Sequence, residues 1–126
     1  FKIGQSNEIV FEYRVFDIHN SYDFCGLSIG ADRTVRVSFQ PNPEHGVGQP
    51  CLSLIFSNTD YLEVDLRLEK IRNDELDEIG YMSPDQRDDE WIMAEDQATE
   101  SDHIYMRLGT GFIRIHAQQV RLDIRD

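Results

Sequence analysis

Acid–base or metal chemistry needs imidazoles, carboxylates or thiolates within reach of one another. This chain offers four histidines, His19, His45, His103 and His116, and two cysteines, Cys25 and Cys51. No two histidines stand at a metal-ligand spacing. Asp17 with His19, and Asp102 with His103, each set a carboxylate beside an imidazole. No nucleophile elbow, zinc-binding helix pair or cysteine cluster accompanies them, so the plainer expectation is surface residues near strand ends. Two cysteines are too few for a disulfide scaffold; two buried, reduced thiols are expected, with a single bridge as the alternative. Asp85, Asp88, Asp89 and Glu90 could supply oxygens to calcium, but their spacing is not the alternating Asp-x-Asp-x-Asp-Gly loop. Paired carboxylates for glycoside hydrolysis would need a sugar cleft, for which one tryptophan is little material. Gly109-Thr110-Gly111 lies between strand patterns rather than before a helix, so it is no phosphate loop. The expectation is a protein without catalysis, metal or cofactor.

Charge is distributed very unevenly. Of the 126 residues, 24 are acidic and 12 basic, for a net charge of -12. Nucleic-acid binding through a basic footprint is excluded by that balance. The thirty residues from Asn73 to Asp102 hold twelve acids against one base, Arg87, and so eleven of the twelve net charges. The remainder is nearly neutral, as an ordinary protein surface is. One reading of this acidic insert, 73–102, is a solubilising, solvated face. The other starts from the apolar residues among its acids: Leu76, Ile79, Tyr81, Met82, Trp91, Ile92 and Met93. Trp91, the single tryptophan, directly follows Asp88, Asp89 and Glu90. An aromatic ring beside charges that a partner can desolvate is a composition favoured at binding hot spots. Alternatively Trp91, Ile92 and Met93 form a short strand closing the core.

The positioning elements read as strands. With 40% hydrophobic residues the chain can build a core, and no apolar run approaches the roughly 20 residues of a membrane-spanning helix. Period-two alternation recurs at Ile9-Phe11-Tyr13-Val15, with Val10, Phe16 and Ile18 on the opposite face, then in Phe24 to Ile29 and at Val35-Val37-Phe39. It continues at Leu52-Leu54-Phe56, Leu62-Val64-Leu66-Leu68, Ile104-Met106-Leu108, Ile113-Ile115-Ala117 and Val120-Leu122-Ile124. Gly30-Ala31-Asp32-Arg33 and Gly109-Thr110-Gly111 supply hairpin turns, and Pro41 to Pro50 a longer loop. The only helix signal is a turn or two from Asn73 as N-cap through Ile79, stopped by Gly80. The expected fold is all-β, an antiparallel sandwich of about seven to nine strands in one domain, 1–126, with at most one short helix. No signal-peptide pattern is present, and the expected compartment is cytoplasmic.

Leu52-Ser53-Leu54-Ile55-Phe56-Ser57-Asn58 with Tyr61-Leu62, and the closing run from Gly111 to Leu122, resemble patterns in small β-rich immunity proteins of bacterial polymorphic-toxin systems. That resemblance implies a cytoplasmic protein that blocks one cognate toxin without chemistry of its own. Members of that group often block basic nucleases through an acidic surface. The site residues come from charge and not from the resemblance: Asp85, Asp88, Asp89, Glu90, Trp91, Glu95 and Asp96 as the centre of a protein interface, with Tyr81 as a second aromatic anchor. A ligand-binding sandwich of the carbohydrate-module kind is the alternative, with Trp91 and Tyr81 stacking on sugar rings.

Overall fold

A computed structural model describes residues 1–66, 75–88 and 91–126. The chain starts with three short strands, β1 (Lys2–Ile3), β2 (Glu8–Phe11) and β3 (Arg14–Asp17), which form a small antiparallel sheet in that order. The continuous alternation expected from Ile9 to Val15 is broken, because the chain reverses at Glu12-Tyr13, where Glu12 has a left-handed φ of 56°. Ile9 and Phe16 therefore face the core, whereas Tyr13 is 93% and Val15 63% exposed. A four-residue helix, α1 (Ile18–Ser21), follows, and the Asp17 carboxylate caps it by accepting from the Asn20 backbone N–H at 3.1 Å.

The remaining six strands form one antiparallel sheet in the order β4-β5-β6-β9-β8-β7, curled into half a barrel. They are β4 (Tyr22–Ile29), β5 (Val35–Pro41), β6 (Cys51–Asp65), β7 (Glu78–Met82), β8 (His103–Leu108) and β9 (Gly111–Arg125). Among the described residues the all-β, antiparallel expectation is met with nine strands, in a three-stranded sheet and a six-stranded half-barrel sheet. No helix among the described residues is long and apolar enough to cross a membrane. Alternation in β5 is as read from sequence: Val35, Val37 and Phe39 are 2%, 0% and 1% exposed. The turn after β4 uses Gly30, whose N–H donates to Thr34 O at 2.8 Å, and Asp32, whose carboxylate accepts the Thr34 N–H at 3.1 Å. Leu108 pairs with Gly111, so the expected three-residue connection shortens to Gly109-Thr110, with Gly109 at a φ of 64°.

The long strands β6 and β9 pair from Cys51↔Arg125 to Asp65↔Phe112. Each was expected as two strands, because the apolar residues fall in two separate runs, whose phase in β9 slips between Ala117 and Val120. The slip marks a bulge instead. Thr59 pairs with Ala117 and Tyr61 with His116, which leaves Asp60 as an extra residue in β6, next to Asn58 at a φ of 53°. One extra residue inverts which face an alternating pattern presents. Leu52, Leu54 and Phe56 on one side of the bulge, and Ile113 and Ile115 beyond it, consequently reach the same core, and the sheet curls around them.

Two further expectations are corrected. The helix from Asn73 to Ile79 is not formed: Glu78, Ile79 and Gly80 belong to β7, paired with Arg107, Met106 and Tyr105 of β8, while Asn73 lies outside the described residues. Gly80 is not a helix stop; a Cβ there would collide with Ile92, so its bareness admits the insert. Cys25 and Cys51 are reduced thiols, but both are exposed rather than buried. Cys25 sits at a second bulge, where the β4–β5 register shifts between Phe24 and Gly26.

Phe56 is fully buried just before the Asp60 bulge. Phe56→Ala is expected to cost about 3–5 kcal/mol in urea unfolding, whereas Val15→Thr on the exposed face should stay within about 0.5 kcal/mol of the parent.

Candidate functional site

Within the acidic insert 73–102, Glu78–Met82 is β7 of the sheet itself; the stretch between Met82 and His103 leaves the sheet, and four sets of contacts hold its described part. The first is Arg114 of β9, whose side chain is almost wholly enclosed at 3% exposure. Its Nη1 donates to Gln86 O at 2.6 Å, and its Nη2 to Ser83 O at 2.8 Å and Pro84 O at 3.1 Å. Its Nε donates to His103 Nδ1 at 2.9 Å. A guanidinium cannot shed its charge, so once buried it must be ringed by acceptors, and the first turn of the insert supplies three. Second, Tyr81 and Met93 exchange backbone hydrogen bonds of 2.8 and 2.9 Å. Third, the Tyr81 hydroxyl donates to Glu95 Oε2 at 2.6 Å, and the same oxygen accepts the Ile3 N–H at 3.1 Å. Burial, then the hydrogen bond and charge of Glu95, push the Tyr81 phenol well above its ordinary pKa. The fourth contact is His116, whose Nε2 meets Glu100 O at 2.9 Å and whose Nδ1 meets Asp60 Oδ1 at 2.6 Å.

These contacts sort the expected site residues into two groups. Asp85, Asp88, Trp91 and Asp96 are exposed, Trp91 at 65%. Gln86 Nε2 donates to both Asp88 O at 2.6 Å and Trp91 O at 2.7 Å, closing the apex and bringing the tryptophan back beside the acids. The reading of Trp91 as a core-closing residue is therefore corrected; Met93 alone of that trio makes a strand-like bridge. Tyr81 and Glu95 are half-buried and bonded to each other, so they fasten the insert rather than present a face. A sugar platform built from Trp91 and Tyr81 would thus have one exposed ring. Asp89 and Glu90 lie outside the described residues. Beside Trp91 a cleft of about 300 Å³ runs between the insert and the β1–β2 turn, lined by Gln5, Asn7, Ile92 and Gln97 among others.

Neither expected carboxylate–imidazole pair forms. Asp17 caps α1, and Asp102 accepts from the Thr99 backbone and hydroxyl. A hydrogen-bonded pair, Asp60 with His116 at 2.6 Å, was missed because the residues stand 56 positions apart and meet only through the bulge. Both acceptors around His116 lack hydrogens, so each ring nitrogen donates and the ring is an imidazolium. The hydrogen bond to Glu100 O and then that to Asp60 raise its pKa against the opposing effect of burial, and the bond from His116 lowers that of Asp60. His103, its ring centroid 5.6 Å away, behaves oppositely: Arg114 fills Nδ1, so the ring is neutral with its proton on Nε2. Burial, then the charges of Arg114 and His116, lower its pKa. The Asp60–His116 pair, with Nε2 on Glu100 O, thus fastens the end of the acidic segment to the sheet.

His19, Glu75 and Asp77 bring possible ligand atoms within 4.8 Å of one another. His19 Nδ1 already bonds Leu76 O at 2.7 Å and Asp77 Oδ2 accepts the Gly109 N–H at 2.9 Å, which accounts for the grouping as a tie between α1 and the approach to β7. No protein-family model, curated protein or solved structure matches the chain.

Replacing Arg114 by Met keeps the bulk and removes the donors to Ser83, Pro84 and Gln86. The variant is expected to lose about 2–4 kcal/mol in urea unfolding and to be cleaved faster by protease within residues 83–88. Unchanged cleavage would mean that the insert is held without it.

Proposed function

We propose that this chain is a non-catalytic protein-binding domain of the immunity type, which neutralises a basic toxin domain by docking it on Asp85, Asp88, Trp91 and Asp96. The observation carrying this reading is the exposure of the only tryptophan, at 65%, on an acidic segment fastened by buried contacts. An exposed indole beside carboxylates has the composition of a binding hot spot, and a fastened loop loses less entropy on binding than a free one. Surrounding carboxylates steer a basic partner toward the ring, raising the association rate, and the ring then contributes to residence once water is excluded.

The test is capture on the immobilised protein at about 50 and about 500 mM salt, which changes the screening length roughly threefold. One basic protein is expected, with less recovered at high salt, and the captured protein's toxicity should be suppressed when the two are coexpressed. Asp85→Lys with Asp88→Lys should slow association about tenfold at low salt, and Trp91→Ala should speed dissociation at least tenfold while leaving unfolding unchanged. An on-rate untouched by the charge reversal would sink the steering role of this face.

A further inference from the structure

His116 also lines a separate cleft of about 350 Å³ on the opposite flank of the insert from Asp88 in the chain. Its floor is apolar, from Ile104, Ile115, Ala117 and Val120, and its rim is the segment 98–102 that leads into β8. Only a few bonds secure that rim. Within it, the Thr99 N–H donates to Asp102 Oδ2 at 2.8 Å and the Asp102 N–H to Thr99 O at 3.1 Å. Between rim and sheet stands the His116 Nε2 bond to Glu100 O.

We propose that His116 is a proton-operated latch: its imidazolium holds the 98–102 rim over the cleft, and loss of one proton releases it. The chemistry follows from the two acceptors. Neutral imidazole keeps a single N–H, and the Asp60 carboxylate, a stronger acceptor than a carbonyl and 2.6 Å from Nδ1, retains it. Nε2 then presents a lone pair to the lone pairs of Glu100 O, and a 2.9 Å attraction becomes a repulsion. The groups facing the ring are Asp60 from β6, His103 from β8, Arg114 on β9 itself, and Glu100, Asp102, Glu95 and Tyr81 around the cleft. Burial and the neighbouring Glu95 carboxylate push the Tyr81 phenol well up, so it stays protonated across the neutral range. His103 is neutral while His116 is charged, because Arg114 donates to its Nδ1, and Phe1 also lines the cleft. The sign is fixed by the raised folded pKa of His116. The closed state is favoured fully below the ordinary histidine value, and that preference is lost as pH rises through the folded value. His103, whose pKa is lowered, contributes stability above the ordinary value and loses it as pH falls through its folded one, so the two histidines act in opposite directions.

The test is amide hydrogen exchange between pH 5.5 and 8.5, corrected for intrinsic rates, alongside ¹⁵N spectra of the imidazole rings. Protection at Thr99 and Asp102 should fall about tenfold as pH rises through the His116 titration, while the Tyr81 and Met93 amides hold theirs. In His116→Gln the fall should vanish, and in Asp60→Asn it should move to lower pH. The ring spectra of the unaltered protein should show both His116 nitrogens protonated below the midpoint. PH-independent protection in the parent, a fall that survives in His116→Gln, or an aprotic His116 nitrogen below the midpoint would each overturn the latch. The ring spectra decide the matter even if His116→Gln fails to fold.

Discussion

A buried cation that cannot be neutralised sets the terms for this fold. Arg114 sits on β9 between the core residues Ile113 and Ile115, so alternation points it to the opposite face of the sheet, where the segment after β7 buries it, and its charge must be answered by dipoles. Those dipoles come from Ser83, Pro84 and Gln86, residues in the most acidic part of the chain. A segment that self-repulsion would otherwise push into water is thus drawn back onto the sheet. The same guanidinium reaches His103 and fixes which nitrogen of that ring carries its proton. Insert geometry and histidine protonation are two consequences of one desolvated charge.

The bulge at Asp60 is the second constraint, and it acts on shape. By adding one residue to β6 it turns a flat pair of fifteen-residue strands into a fold that closes on itself, with apolar residues from both halves in one core. It also brings the Asp60 carboxylate to His116, so that curvature and an ionic contact have a single origin. A flat β6–β9 ribbon would leave one of its two apolar stripes in water.

Much of the strand layout was legible. Val35-Val37-Phe39 with polar residues between reads as one half-buried strand and is one, and the glycine turns fall where hairpins need them. The charge split located the insert without any structure. What misled was phase in β9 and a polar gap in β6: the slip from Ala117 to Val120 looks like a strand end because single-strand counting cannot see a bulge in the partner, and the polar run from Ser57 to Asp60 looks like a turn. Gly80 misled for a related reason, since glycine marks a helix stop and a close approach alike, and only Ile92 packed against it separates the two. Composition singled out Trp91, Asp85, Asp88 and Asp96, which are exposed, whereas it did not single out Arg114, Asp60 and His116. Nothing local marks them; their partners are supplied by strand pairing and by a loop returning from twenty or more residues away.

The outer margin of β7 has a consequence for how copies of this protein meet. The last strand of an open sheet exposes a ladder of unmet donors and acceptors that another chain can extend. Here the Ile79 N–H is taken by the Asn7 side chain at 3.0 Å, and both backbone groups of Tyr81 by Met93. The opposite margin, β4, is bent by its bulge at Cys25 and crossed near its start by the Asp23–Glu75 bridge. The acidic insert therefore serves as an edge guard, filling the ladder with its own backbone and surrounding it with like charge, so that crowding of this half-barrel does not template strand-to-strand aggregation at β7.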